Sequence, residues 1–311
     1  MRAEEEARDN IALGGRPDQG AQADETAYLK SLLDWHRMAR DWSLIVSSGM
    51  VGLVLAVTVV GPFIVPADPN VVHSANRLLP PFWMEGGNLT HPLGTDGVGR
   101  DLLARIVVGF RTSLFISVTG VLLAVAIGAI VGILAGFVGR RVDTVLMGLT
   151  DVQLSFPFIV LAVSLLSLVP PSPPILIVVL SLAAWPMYAR VIRSIVQQER
   201  NADYVVAARS TGASEGRIIY AYIVRNIVPS VLIVATIDIA TLVVFESLLS
   251  FLGLGVQPPT ASWGNIIAEG KNYLTSAWWI TTLPGVAIVF TVLSFNLFGD
   301  NLHRYIDPRS S

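Results

Sequence analysis

The chain has 311 residues, 53% hydrophobic and only 14% charged, with a formal net charge of −2 and a mean hydropathy of +0.62. So little charge argues against a soluble domain, and scattered Arg in a near-neutral balance argues against a nucleic-acid partner. The absence of Cys excludes a disulfide framework and a thiolate metal site.

Residues 1–23 are polar and of mixed sign, with few large apolar groups, which predicts disorder. From Asp24, Tyr28, Leu32, Trp35 and Ala39 repeat at helical spacing beside Leu29 and Leu33. Two readings stand equally: an amphipathic helix on the membrane surface, with Lys30, Arg37 and Arg40 toward the headgroups, or a short solvated helix. No secretory signal is expected, because the first apolar run starts late and is too long for one.

Leu44–Val65 is uncharged and long enough to cross the hydrocarbon as a helix. The loop that follows, over 67–111, is Gly-rich near Gly94, Gly97 and Gly99. No Gly-Lys-Ser/Thr follows and no strand precedes, so these glycines are expected to serve tight turns rather than phosphate. Thr112–Gly139 is the second span, and Gly128, Gly132 and Gly136 share one face of it, where another helix can pack close. Asp143 and Asp151 precede Phe156-Pro157, a Pro expected to kink the third span, near 147–169. Pro170, Pro171, Pro173 and Pro174 set a turn before the fourth span, near 175–193.

Asp203 to Pro229 is polar enough for water yet helical in pattern. Ala207 and Ala208 favour helix, and Thr211-Gly212 breaks it. Ser214 can open a second helix, with Glu215 and Arg217 in its first turn. The prediction is a helix, a tight turn and a helix, with small residues at the corner.

Ile227–Leu249 is the fifth span and carries Asp238 and Glu246, two turns apart. A charge at the bilayer centre costs about 2.5–3.5 kcal/mol on insertion scales, so both should face protein or water. They either line a translocation path or pair with polar groups on a neighbouring helix, and the second reading is preferred. Gly253, Gly255, Pro258 and Pro259 open the last outer loop. Trp263, Trp278 and Trp279 suit an interfacial belt, and Trp278–Phe298 is the sixth span.

Backbone satisfaction in lipid makes helices the expected form throughout, so the fold class is an all-α membrane protein of six spans. With both termini inside, sixteen of the 21 Lys and Arg lie on inner segments. The outer Arg alternate with Asp68, Glu85, Asp96 and Asp101, which predicts local pairing. His36, His73, His91 and His303 lack ligand spacing, so no metal is expected.

The stretch VAARSTGAS resembles the EAA loop of ABC-importer permeases, with Ala207, Ala208 and Gly212 on the family's Ala, Ala and Gly. Val206 stands where Glu is usual, and Arg225 where a Pro usually closes the loop. HPLGTDGVGRDLLARIVVGFRTSL (His91–Leu114) and FESLLSFLGLGVQPPTASWG (Phe245–Gly264) resemble the dipeptide/oligopeptide/nickel permeases of that class. The resemblance runs from His91 to Arg309.

It implies a type I ABC importer transmembrane domain, N-in and C-in, in the bacterial cytoplasmic membrane. It implies a second similar permease, two ATPase subunits and an extracytoplasmic substrate-binding protein as partners. ATP and Mg would sit on the ATPases, with no cofactor and no catalytic residue in this chain. The ATPase-coupling loop would comprise Asp203, Tyr204, Ala207, Ala208, Arg209, Gly212, Ala213, Ser214 and Arg217. The expected layout is an N-terminal tail over 1–42, a first span with its outer loop over 43–110, a five-helix transport domain over 111–300 and a tail over 301–311. Peptides are the expected cargo, with nickel chelates or a glutathione-like solute as alternatives. The rival class is a proton-coupled secondary transporter using Asp238 and Glu246, against which stands the lack of an internal repeat.

Overall fold

A computed structural model describes residues 42–65 and 67–306. The expected disordered tail and amphipathic helix, and residues 307–311, lie outside the described residues. Apart from one isolated bridge between Thr95 and Asp101, the described chain is helices and turns. In order these are α1 (Trp42–Ile64), α2 (Leu102–Val138), α3 (Arg140–Leu154), α4 (Phe158–Leu166), α5 (Pro173–Glu199), α6 (Asp203–Ser210), α7 (Glu215–Ile218), α8 (Val224–Phe251), α9 (Trp263–Gly270) and α10 (Trp279–Ile306). A π-helical segment, Ile219–Ile223, joins α7 to α8.

Five helical stretches are long and apolar enough to cross a membrane, counting Glu215–Phe251 as one. The sixth candidate is α3 with α4, which bend by 83°. A kink at Pro157 was expected in the span near 147–169; the chain goes further and breaks between Leu154 and Phe158. Pro157 lacks an amide proton, and its φ of −57° and ψ of 124° are not helical. The other proline signal falls as predicted, with α5 starting on Pro173 at its first turn.

The α2 helix starts ten residues before the expected second span. The Asp101 carboxylate accepts from the Ala104 amide at 2.8 Å, an N-cap, and the helix then runs on through Arg105. Arg105 is buried because it is paired. Its guanidinium meets Asp96 and also Glu269 of α9 at 2.5 Å, while Arg100 reaches Asp96 at 2.6 Å and Glu269 at 2.5 Å. The predicted pairing of the outer Arg thus holds for Asp96 but not for Asp68 or Glu85, and Asp101 meets His91 at 2.8 Å instead. Burial alone would raise the Asp96 carboxyl. The Arg100 and Val98 amides, then the Arg105 and Arg100 guanidinium groups, outweigh it and hold the carboxyl below its usual range.

Two of the three tryptophans expected at the interface are core. Trp263 is fully buried, packed edge-on to Phe110 at 4.6 Å, with its indole donating to the Ile106 carbonyl at 3.3 Å. The Trp279 indole donates to the Thr95 carbonyl at 3.3 Å. Both reach groups on the outer-loop side of α2, so one tie holds α9 and the other α10 there. Trp278 remains half-exposed.

The centre of the bundle is α2 against α5. A Cβ added at Gly132 would lie 2.7 Å from the Ala189 carbonyl oxygen and 2.9 Å from the Ile192 Cβ; at Gly136 it would lie 2.8 Å from the Val196 Cβ. Gly128 is as close to Tyr188 and Trp185. The stripe read from sequence is therefore an intrachain seam, and nearer the start of α2 a Cβ at Gly120 would lie 3.3 Å from Leu242 of α8. On the far side, α1 is joined to α10 by Asn301, which bonds Ser43 at 3.0 Å and Ser47 at 3.0 Å.

Gly132→Ala should lower the melting temperature of the purified protein, because a forced methyl in a tight seam costs about 1–3 kcal/mol. Gly148→Ala, on α3 with nothing within 4 Å of the added Cβ, should leave it unchanged or raise it. Equal effects at the two positions, read by differential scanning fluorimetry, would contradict the seam.

Candidate functional site

The stretch 203–229 emerges as a short helix, a corner and a second helix. Asp203 supplies a negative charge in the first turn of α6 and Arg209 a positive one in the last, both favourable to the helix dipole. At the corner, the Ala213 amide donates to the Ala208 carbonyl at 3.0 Å and the Gly212 amide to the Arg209 carbonyl at 3.1 Å. This pair of bonds is a Schellman motif, which requires a left-handed residue between them. Gly212 fills that position with φ of +86°. Ser214 then caps α7 by accepting from the Arg217 amide at 3.4 Å.

The corner is fastened from both sides. Arg209 and Glu215 pair across it with two bonds of 3.0 Å. Val205 and Ile218 are fully buried and join the core cluster that includes α5, so the stretch is anchored by one residue from each arm. The Tyr204 ring lies 5.7 Å from that of Tyr222. Its hydroxyl donates to Glu199 and accepts from the Asn226 amide at 3.1 Å. Ala207 and Gly212 are exposed, Ala208 and Ala213 partly so, and nothing lies within 4 Å of where a Gly212 side chain would begin. Ile218 at the end of α7 and Ile223 at the end of the π segment are buried, while Tyr220 and Tyr222 between them are exposed.

The two membrane carboxylates have different surroundings. Glu246 is fully buried, and the hydroxyls of Ser113, Ser250, Ser262 and Ser247 surround it. The Ser250 hydroxyl donates to it at 2.8 Å and accepts from the Val256 amide at 3.0 Å, so the carboxylate ties the end of α8 to the chain that turns back toward α9. Asp238 is partly exposed, and the group facing it is the hydroxyl of Tyr188 on α5. The groups that face the two carboxylates are thus hydroxyls, of Ser at Glu246 and of Tyr at Asp238. The sequence offered no cue to Tyr188, which sits inside an apolar run.

The chain as a whole is similar to known proteins. Residues 128–311 match the family described as binding-protein-dependent transport system inner membrane component. The chain belongs to that family. It is 36% identical over 257 residues to the di/tripeptide transport system permease DppC of Pseudomonas aeruginosa, covering 83% of this chain and 85% of that one. It is 38% identical over 278 residues to a putative peptide transport system permease of Brucella abortus, covering 89% and 92%. A chain of the MetNI methionine ABC transporter, solved in inward-facing conformations, superposes with a TM-score of 0.54 at 20% identity, covering 65% of this chain and 96% of that one. The fold is therefore that of a type I ABC importer transmembrane domain. The protein is a multi-pass permease component of a bacterial ABC transporter, and membership of the family implies ATPase and substrate-binding partners.

In such a permease Glu246→Gln keeps acceptors for the surrounding hydroxyls, whereas Glu246→Leu strands them at about 1–3 kcal/mol for a buried unsatisfied group. The Gln variant should assemble at the normal yield and the Leu variant should not, as read by size-exclusion chromatography. Normal assembly with abolished transport in the Gln variant would instead assign the charge itself a role.

Proposed function

We propose that the chain is one of two permease subunits of an ATP-driven peptide importer, forming with a second, similar permease the path across the cytoplasmic membrane. The observation that carries this is the near end-to-end match to relatives named for dipeptide, tripeptide or peptide transport. Two ATPase subunits dock at the end of the bundle that carries α6 and α7, and they hold the ATP and Mg. The binding protein delivers peptide at the opposite end, over residues 67–101 and 252–278. The chain binds no cofactor itself and performs no chemistry.

The exposed corner supports the coupling role. Its small residues allow another backbone to come close, and its anchors carry a push into α5 and, through the π segment, into α8. Closure of the ATPases then biases the bundle between inward- and outward-facing states. The hydroxyl cage around Glu246 supports a structural carboxylate over a proton carrier. In reconstituted vesicles, uptake of a labelled dipeptide should need ATP and all partners. Uptake driven by a pH gradient alone would overturn the reading, and uptake of nickel but not dipeptide would move the cargo.

N-in topology follows from the charge balance. Because the chain lacks Cys, Ser210→Cys and Thr260→Cys introduce single thiols at exposed positions. An impermeant maleimide should label the first only from the cytoplasmic side and the second only from outside. Labelling of both from one side would contradict the proposed orientation.

A β-branched residue at a left-handed position costs about 1–3 kcal/mol. Gly212→Val should therefore leave insertion and permease pairing intact while weakening ATPase attachment or abolishing substrate-stimulated hydrolysis. Full coupling in that variant would remove the corner from the transmission path.

A further inference from the structure

The α3 helix runs antiparallel beside α5 and is fastened to it by polar rungs. Arg193 pairs with Asp143, with one bond of 2.6 Å, and Gln197 adds a bond to Asp143 at 3.3 Å. Arg190 reaches Asp151 at 2.6 Å. The last rung differs from these. The Gln153 side-chain amide donates to the main-chain carbonyl of Leu182, and its own carbonyl accepts from the Trp185 indole at 2.9 Å.

Leu182 is the residue four before Pro186, and Pro186 lies inside α5. In an unbroken helix the amide of residue 186 would bond that carbonyl, and proline has no amide proton to give. The surroundings offer little else. Around Gln153 the crevice between α3, α4 and α5, of about 240 Å³, is lined by Leu149, Val152, Phe156, Leu161, Leu165 and Leu182. A bare carbonyl in such a place is costly, and a donor from a neighbouring helix is one way to satisfy it. Two residues past Gln153, the chain leaves α3 and turns through 83° into α4.

We propose that Gln153 is a positioning residue that supplies the proton missing at Pro186 and so fixes the broken span against α5. The proline gap selects the register: the carbonyl that Pro186 leaves without its helical donor accepts the side-chain amide at the end of α3. Pro157 lets the span break, and Gln153 decides where the break is held. The proposal concerns the geometry of this chain and does not depend on the cargo.

The test is a coupling between two substitutions in the full chain, assembled with its partners. Spin labels at Val160→Cys on α4 and Met187→Cys on α5, both exposed sites, report the distance between the two helices by pulsed electron resonance. Gln153→Leu should broaden the distance distribution about twofold, because the freed carbonyl no longer holds one register. Pro186→Ala restores the amide within α5, so in that background Gln153→Leu should change the width little. Loss of the Trp185 acceptor is common to both backgrounds and cancels in the comparison. If Gln153→Leu alone fails to fold, recovery of the folded double variant supports the proposal. Equal broadening in both backgrounds, no broadening in either, or failure of the double variant to fold would overturn it.

Discussion

In hydrocarbon no water is at hand to bond a free main-chain group, and much of this structure follows from that constraint. Helices satisfy most of their own carbonyls, so the informative places are those where a helix cannot. At the end of α2 the Arg200 guanidinium reaches the Gly136 and Phe137 carbonyls, both at 3.0 Å. Gln153 meets Leu182. Each donor comes from an element far along the chain, so each repair is also a tertiary tie.

Glycine does the complementary work. Along α2 it removes side chains where α5 must approach, and the contact is closed within this chain. At Gly212 it serves the opposite purpose, giving a left-handed corner with open space above it. One is a filled seam and the other an unfilled one, although both are small residues in helical surroundings. That contrast, beside the family's implied ATPase, is the ground for the docking proposed at the corner.

Much of this was legible in the sequence because the signals were local. Apolar length placed the long helices to within a few residues at most ends, Gly212 announced its turn, and four prolines placed the start of α5. The extra ten residues of α2 were not legible, because an Arg reads as a boundary until Glu269, far along the chain, is seen to neutralise it. Trp263 and Trp279 misled for the same reason: an indole suits an interface or a buried carbonyl, and only the fold shows which. Tyr188 and Gln153 gave no periodic signal at all. A proline inside an apolar run does announce a freed carbonyl four residues earlier, and Pro186 could have prompted a search for a donor.

The ion cluster at the N-terminal end of α2 bears on the order in which the protein is made. Asp96, Arg100 and Arg105 leave the ribosome together, whereas Glu269 follows Arg105 by 164 residues. Until then the two guanidinium groups share the Asp96 carboxylate, and Arg105 lacks its second carboxylate. The burial of Arg105 is thus completed only when α9 arrives, which makes the last third of the chain a condition for sealing the first.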